Sequence, residues 1–246
     1  AAASQFTSAV DTELSRIGAS LQLDGAMVER HDWDAYALRY DAAQANANSA
    51  ALVQRVWYVE RVDGTAGAPM SLVLHEWNPE ARRFEPVPWP EALGDLHEQM
   101  SKFMAAATEA PGGPRERLAA SFALGDERTL VLPIVKAVLP TGAEVGRTRL
   151  MPDVQMRGFT VIGLALDTLT KERLPALVAE HFPESAEYRV AVVARETGRV
   201  VYESEPGAAE ATADAPDHIA SFLQPRVGPM MVFSRAIADG RPVETH

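Results

Sequence analysis

The side chains best suited to catalysis or metal binding form no recognisable pattern along this chain. Its six histidines are His31, His75, His97, His181, His218 and His246. No two of them stand four residues apart, the spacing at which one helix presents two ligands to a metal. The segment His31-Asp32-Trp33-Asp34 could ligate a metal, but an Asp that starts a helix beside a surface His accounts for it more simply. We therefore predict no metal site.

The motifs that bind phosphate or activate a nucleophile are also missing from the sequence. There is no GxSxG elbow for a serine nucleophile, no GxxxxGK[ST] loop and no GxGxxG loop. The segment TGAEVGR at 141–147 has two glycines, but it opens no recognisable helix, so we expect no phosphate site there. The chain has no cysteine, which excludes thiolate metal sites and a Cys nucleophile. We predict no catalytic residue and no cofactor.

The tryptophans are the residues that most suggest a binding site. Trp57 and Trp77 lie in neighbouring predicted strands, and we expect them to share one face of the sheet. Aromatic side chains on a sheet beneath a helix line an apolar cavity with a few polar groups, which suits a small ligand. Two arginines in a later connection would bind the charge of an anionic ligand. The predicted ligand site comprises Trp57, His75, Trp77, Trp89, Arg147 and Arg149.

These residues also have an interpretation that requires no ligand. The tryptophans could be ordinary core residues. His75 lies on the same strand face as Trp77, and it could be a partly buried His that is bonded to a backbone carbonyl. The sequence leaves both interpretations open.

The charge balance narrows the range of partners. The chain has 246 residues, with 34 acidic and 23 basic side chains and a net charge of -11. Such a surface repels phosphate backbones, so we expect no nucleic-acid partner. No apolar run approaches the roughly eighteen residues of a membrane helix. The sequence starts without Met, inside a helical pattern, so we expect a segment of a longer protein, with a processed N-terminus as the alternative.

The first 50 residues have a helical pattern. An amphipathic helix is predicted over 4–22, because apolar residues recur there at spacings of four and three. A second helix is predicted over 33–50, where Ala dominates. The apolar stripe of the first helix consists of Phe6, Val10, Leu14, Ile17 and Leu21.

The period then changes to two, which is typical of strands. Strands are predicted at 53–62, 71–77 and 128–138, with a helix over 90–107 between the second and the third. The Pro-rich segment EPVPWPEAL cannot be interior sheet, because proline lacks a donor for the ladder. Adjacent strands joined by short turns favour an α+β fold with an antiparallel sheet and helices at one face.

The segment from Arg157 to Ser204 combines a strand, a helix and a hairpin. Phe159, Val161 and Ile162 begin a buried strand, and Asp167 and Thr168 provide capping chemistry for the helix that follows. Pro175 should kink or break that helix near residue 173. A hairpin closes at 196–198. Beyond it, 206–217 looks like a mobile loop and 229–236 like one last strand.

This segment resembles a known class of sensor domain. The residues GFTVIGLALDTLTKERLPALVAEHF and YRVAVVARETGRVVYESEP are similar to the extracytoplasmic Cache/PAS-like domains of bacterial membrane receptors, in particular the periplasmic part of certain sensor histidine kinases. The resemblance covers most of 1–206, and the tail at 205–246 departs from it. It implies a helical region at 1–50, a PAS/Cache-like domain at 51–182 and, at 183–246, a hairpin and tail that form at most a reduced membrane-proximal subdomain.

The resemblance implies a function in signal transduction. The chain would be the periplasmic sensor of an inner-membrane histidine kinase in a two-component phosphorelay, and it would respond to a small molecule or another periplasmic signal. No kinase motif is present, so the chain itself would not be the enzyme. The alternative is a free-standing soluble small-molecule-binding protein or an enzyme of unrecognised type.

The resemblance also offers a role for the apolar stripe of the first helix. In a receptor of this class the helix would emerge from the membrane beside its twin, and the stripe would form the seam of a homodimer. The alternative is that the stripe packs against its own domain. The sequence leaves these two interpretations open.

Overall fold

A computed structural model describes residues 2–62, 70–109, 128–138, 153–182, 189–194, 198–213, 237–238 and 241–242. The helices are α1 (Ala2–Leu21), α2 (Gly25–Arg30), α3 (Trp33–Ala45), α4 (Ala47–Leu52), α5 (Gly94–Glu109), α6 (Leu166–Thr168), α7 (Leu174–His181) and α8 (Ala208–Ala213). The strands are β1 (Val53–Val62), β2 (Ser71–Asn78), β3 (Arg83–Val87), β4 (Thr129–Val138), β5 (Asp153–Leu164), β6 (Ala191–Val193), β7 (Val200–Glu203), β8 (Ile237–Ala238) and β9 (Arg241–Pro242).

Five of these strands form the central antiparallel sheet, in the order β3-β2-β1-β5-β4. The predicted α+β class is confirmed in this form. The central strand β1 has the predicted bounds, because its Val-rich and aromatic sequence suits a strand that is buried on both sides. The predicted buried strand is also present, as β5, and its second half, from Gly158 to Leu164, pairs with β1.

The sheet has helices on both faces, so the expectation of helices at one face is wrong. On the first face, Tyr58, Trp77 and Ile162 pack against α1, α3 and α7. On the second face, Trp57, Val59 and other residues pack against α5 and the 3-10 turn Glu91–Leu93 that precedes it. The helical residues buried there are Leu93, Leu96, Met100 and Met104. All four lie within the helix predicted at 90–107.

Helix starts and breaks follow from local polar side chains. Asp24, Asp32 and Asn46 each accept a hydrogen bond from a backbone N–H three residues later and so cap α2, α3 and α4. Asn46 also explains why the helix predicted at 33–50 is two helices: its backbone is extended, and its side chain starts the second one.

The Pro-rich segment lies outside the sheet interior, as predicted, but it begins with a strand that the sequence did not predict. Strand β3 is an edge strand paired only with β2 among the described strands, and Pro86 lies opposite His75. An edge strand tolerates proline, because one row of its backbone groups does not enter the ladder.

The helix after β5 contains a break where one was predicted. Residues Leu169–Arg173 form a π-helical turn between α6 and α7, and Pro175 lies in the first turn of α7. The expected capping by Asp167 and Thr168 is wrong, since neither α6 nor the π turn has a side-chain cap. Asp167 instead forms an ion pair with Lys171, in which Nζ lies 2.8 Å from Oδ2.

The hairpin predicted near 196–198 is present as β6 and β7, although 195–197 lie outside the described residues. The loop expected at 206–217 is wrong in part, because Ala208–Ala213 are helical. The strand expected at 229–236 lies outside the described residues. Among the helices of the described ranges, none has the length and hydropathy needed to cross a membrane.

The apolar stripe of α1 packs in the core of its own domain. Its five residues, Phe6, Val10, Leu14, Ile17 and Leu21, are at most 5% exposed. They pack in one cluster with residues of β5 and α7, such as Ile162 and Val178. The structure therefore favours the core interpretation over a helix seam between two chains, since a side chain that is already buried has no surface left for a second chain.

Candidate functional site

The candidate ligand site is a cleft at one end of the first face. It has a volume of about 510 Å³, within the range of small-molecule sites. One wall is the corner between α2 and α3, at 30–34, and the other is the turn between β2 and β3, at 81–83. The residues around it are Arg30, His31, Asp32, Trp33, Asp34, Ala81, Arg82 and Arg83.

Both walls turn through a residue in the left-handed region of backbone conformation. His31 has φ of 52° and Arg82 has φ of 50°, and neither is glycine. In His31 this conformation ends α2, where its N–H reaches the carbonyls of Met27 and Val28. Non-glycine residues in this region are uncommon, and they cluster at sites where the fold holds a loop in one shape. Each wall therefore makes a sharp backbone turn at the edge of the cleft.

The cleft brings three guanidinium groups together, each beside a carboxylate. Arg83 Nη2 lies 2.7 Å from Glu85 Oε1, and Arg82 Nη1 lies 3.3 Å from Asp41 Oδ2. The third pair, Arg30 with Asp32, is longer at 3.9 Å. These side chains are 46–67% exposed on the arginine side, so the pairs are weak. Asp34 adds a further carboxylate to the lining, so positive and negative groups stand side by side in the cleft.

Glu85 is the carboxylate that pairs with Arg83 at the cleft. Its pKa is lowered by hydrogen bonds from Asn78 and then from Arg83. The carboxylate is therefore ionised and keeps Arg83 at the edge of the cleft. Asp32 has a second function, since its Oδ1 caps α3 through the N–H of Ala35 at 3.3 Å. The helix start that the sequence predicted at this Asp is confirmed.

Beneath the cleft lies a cluster of aromatic side chains. Trp33 lines the cleft, and its ring centroid lies 5.2 Å from that of Phe84. Phe84 in turn contacts Tyr36, Tyr58 and Trp77, with centroids 5.0–6.1 Å apart. Edge-on pairs at these distances hold one another in fixed orientations. The cleft thus has a rigid aromatic floor that is continuous with the core of the first face.

Two polar atoms in this cluster are buried without a hydrogen-bond partner among the described residues, Tyr36 Oη and Trp77 Nε1. Burial raises the pKa of Tyr36, because an ionised phenolate would lose its hydration there. Burial also raises the pKa of Tyr58, and the nearby Glu60 raises it further. Both phenols are therefore neutral up to strongly alkaline pH.

The burial of these two phenols predicts how the free energy of unfolding changes at alkaline pH. Tyr36→Phe should leave the free energy of unfolding at pH 7 unchanged or raise it by about 1 kcal/mol, because it removes an unsatisfied hydroxyl. Because the folded-state pKa is raised, the phenol contributes no penalty below pH 10. Above it, only the unfolded chain loses the proton, so stability falls with rising pH, by up to about 1.36 kcal/mol per unit for each phenol. The free energy of unfolding of the Tyr36→Phe variant should fall less steeply as the pH rises.

Urea unfolding monitored by circular dichroism between pH 7 and 11 measures both effects. Tyr40→Phe is the matched control, since Tyr40 is only partly buried in the same cluster. A Tyr36→Phe variant that is more than 1 kcal/mol less stable at pH 7 would show that the hydroxyl has a stabilising partner.

The predicted ligand site is not assembled as the sequence suggested, because Trp57 and Trp77 lie on opposite faces of the sheet. Trp57 pairs with Glu76 in the β1–β2 register, and side chains alternate along a strand. The neighbouring Trp77 therefore points to the first face while Trp57 points to the second. Trp57 is 7% exposed, and its Nε1 donates to Glu76 Oε2 at 3.3 Å. Each tryptophan belongs to the core of its own face.

The structure divides the remaining predicted site residues between the two faces, His75 with Trp77 on the first and Trp89 with Trp57 on the second. His75 lies on the first face, stacked on Tyr58 and with its Nε2 3.0 Å from Glu60 Oε2. Its partner is therefore a carboxylate and not the backbone carbonyl we expected. Trp89 packs on the second face and donates from Nε1 to the carbonyl of Leu72. Arg147 and Arg149 lie outside the described residues.

Sequence reasoning missed most of the cleft. The segment NPEARRF after the predicted strand at 71–77 indicates only a turn, through its Asn-Pro pair, and Trp33 was assigned only to a helix start. The segment at 31–34 was considered for metal binding, and the described residues contain no group of three or more His, Cys, Asp or Glu side chains that could hold a metal ion. The run Arg82-Arg83 was the available signal, but its nearness to Arg30 follows only from the fold.

Comparisons of the chain with protein-family models, with curated proteins and with solved structures found no match.

Proposed function

We propose that this chain is the extracytoplasmic sensor domain of a membrane-bound histidine kinase, and that occupancy of the cleft displaces α1. The α+β architecture with a long N-terminal helix supports the proposal, as does the resemblance of the segment from Arg157 to Ser204. The guanidinium groups of the cleft would bind a ligand carboxylate or phosphate by exchanging their present carboxylate partners for it. On this proposal the domain faces the periplasm and works in the receptor as a homodimer.

The observation that carries the proposal is a contact between the cleft helix and α1. Arg39 of α3 donates from Nη2 to the carbonyl of Ala19 at 2.9 Å and from Nε to that of Ser20 at 3.2 Å. These carbonyls lie in the last turn of α1, where they have no partner within the helix, and a cation is favoured there. Helix α3 starts at the cleft. A ligand that moves the start of α3 therefore acts on the end of α1.

A ligand shifts such a contact only if it binds one arrangement of α3 more tightly than another. The weak ion pairs of the cleft satisfy this condition, because a bound anion would change the partners of Arg82 and Arg83 and leave the buried aromatic floor in place. No reactive group is needed, which agrees with the lack of catalytic motifs in the sequence.

The proposal predicts the behaviour of the complete gene product in lipid nanodiscs. We expect it to phosphorylate itself on histidine with ATP. Arg39→Met should change the basal rate of autophosphorylation by roughly three- to tenfold. This is the effect expected from the loss of hydrogen bonds that contribute about 1 kcal/mol. Lys102→Met is the control, because Lys102 lies on α5 across the sheet in an exposed ion pair with Glu98. Incorporation of radiolabelled phosphate measures the rate of autophosphorylation of the parent protein and of the two variants.

The isolated 246-residue chain should bind no ATP at micromolar concentration in a calorimeter. A complete gene without membrane spans of about twenty residues beside this segment would overturn the proposal. The cleft would then favour the alternative, a soluble small-molecule-binding protein, because that function needs the same cavity and no membrane.

A further inference from the structure

A second cavity lies where α1, α3 and α4 meet. Its volume is about 280 Å³, which is close to the lower end of the range for small-molecule sites and suits a small ion. This cavity, the α1–α3 hollow, shares no lining residue with the cleft, which lies at the other end of α3. The polar side chains around it belong to Arg16, Ser20, Arg39, Asn46 and Ser49.

The lining of the hollow contains two arginines and no acidic residue. Among the described residues, neither guanidinium has a carboxylate partner, because the acidic residues nearest in the chain are engaged elsewhere. Glu13, three residues before the first arginine, pairs with Arg173, and Asp41, two residues after the second, pairs with Arg82. The hollow therefore differs from the cleft, where each guanidinium already has a carboxylate beside it.

The donors of the hollow are held in place by the protein itself. Arg39 donates from Nε to the carbonyl of Ser20 and from Nη2 to that of Ala19, which fixes its guanidinium and leaves Nη1 for a ligand. Asn46 Oδ1 accepts from the N–H of Ser49 at 3.2 Å, so the group that this amide offers a ligand is its Nδ2 donor. Groups that are already ordered lose little entropy when a ligand binds.

Two features of the hollow oppose an anion. It lies near the C termini of α1 and α3, and each helix end carries the equivalent of about half a negative charge. The two full positive charges of the guanidiniums exceed this. The second feature is Ser20 Oγ, which donates to the carbonyl of Arg16 at 2.8 Å and so meets a ligand only as an acceptor. An anion that keeps a proton of its own satisfies this oxygen.

We propose that the α1–α3 hollow binds hydrogen phosphate, which bridges Arg16 of α1 and Arg39 of α3 and accepts from Nδ2 of Asn46. Hydrogen phosphate combines charged oxygens for these donors with an O–H group for Ser20 Oγ. Sulfate and phosphate monoesters lack that proton above neutral pH. The site goes beyond the proposed function, because it lies apart from the cleft and requires neither a membrane nor a kinase.

An NMR titration of the ¹⁵N-labelled isolated chain with sodium phosphate, at pH 7.5 and constant ionic strength, tests the site. The Nδ2 signal of Asn46 and the Nε signal of Arg39 report the hollow directly. We expect saturable shifts of both signals, with weaker binding of sulfate and of glycerol 3-phosphate. Arg16→Gln should weaken phosphate binding at least roughly tenfold, the effect of losing a hydrogen bond to a charged group. Arg82→Gln, which removes a guanidinium of the cleft, should leave it within about twofold.

A second pair of variants tests the cavity without changing any charge. Ala42 lines the hollow and is exposed, so Ala42→Leu fills the cavity and should abolish binding while circular dichroism shows an intact helical fold. Ala45→Leu is the matched control, at an exposed position of α3 outside the lining. The proposal would be overturned by unsaturable shifts at tens of millimolar phosphate, by equal effects of Arg16→Gln and Arg82→Gln, by undiminished binding in Ala42→Leu, or by sulfate binding as tightly as phosphate.

Discussion

Leu14→Lys should unfold the domain or come close to it. Leu14 is 3% exposed in the middle of the α1 stripe, between α1 and the first face of the sheet. The substitution removes a buried apolar side chain and places an ammonium group in the apolar core. We expect a loss of about 4 kcal/mol or more, a large part of the roughly 5–15 kcal/mol that stabilises a typical domain.

The matched control is Ser15→Lys, at the next position and exposed on the same helix. It should change the free energy of unfolding by less than about 0.5 kcal/mol. Urea unfolding followed by circular dichroism compares the three chains. If Leu14→Lys instead keeps the fold and lowers self-association in sedimentation, the stripe would be a seam between chains after all, and its assignment to the domain core would be wrong.

Gly158→Ala should be almost as damaging, for a reason that lies in the backbone. Gly158 has φ of 155°, and a Cβ added there would lie 2.1 Å from the carbonyl oxygen of Val59. The β4–β5 register shifts beside it, between Ile134 and Val135, which indicates a bulge where the strand bends. Because the obstacle is the backbone of the paired strand β1, the central sheet would have to move. We expect a loss of about 3 kcal/mol or more.

Gly94→Ala is the control, because it adds the same methyl group in open space. Gly94 has helical dihedrals, and no atom lies within 4 Å of its added Cβ. It should stabilise the chain by about 0.5–1 kcal/mol. The urea midpoints of both variants, compared with that of the parent chain, test these two expected changes in stability. Equal stability of Gly158→Ala and the parent would mean that β1 and β5 pair less closely at this point than described.

The order and type of many elements follow from the sequence, because their patterns are local. The alternation of VQRVWYVERV predicts β1 with its observed bounds, and the stripe of α1 predicts a helix with one apolar side. The break near Arg173 follows from Pro175 in the same way. Each of these depends on residues within one element, so a single sequence is sufficient.

The burial of Glu13 was not predicted, although its position in the sequence contains a signal. Phe6, Val10, Glu13 and Ile17 are spaced by four, three and four, so Glu13 lies on the buried side of α1. An acidic residue at such a position is usually exposed, so the stripe was defined by its apolar residues alone. Its burial is stable only because Arg173, 160 residues away, pairs with it.

The tertiary structure alone decided which residues face one another. A shift of one residue in the register of β2 against β1 would place Trp57 and Trp77 on the same face, and only packing on both sides of the sheet fixes that register. The same holds for the cleft, whose walls at 30–34 and 81–83 come together because β3 pairs at the sheet edge and packs against α3. Helical and strand patterns repeat within a few residues and can be seen in the sequence. Contacts between distant segments depend on the packing of the whole core, which no local pattern contains.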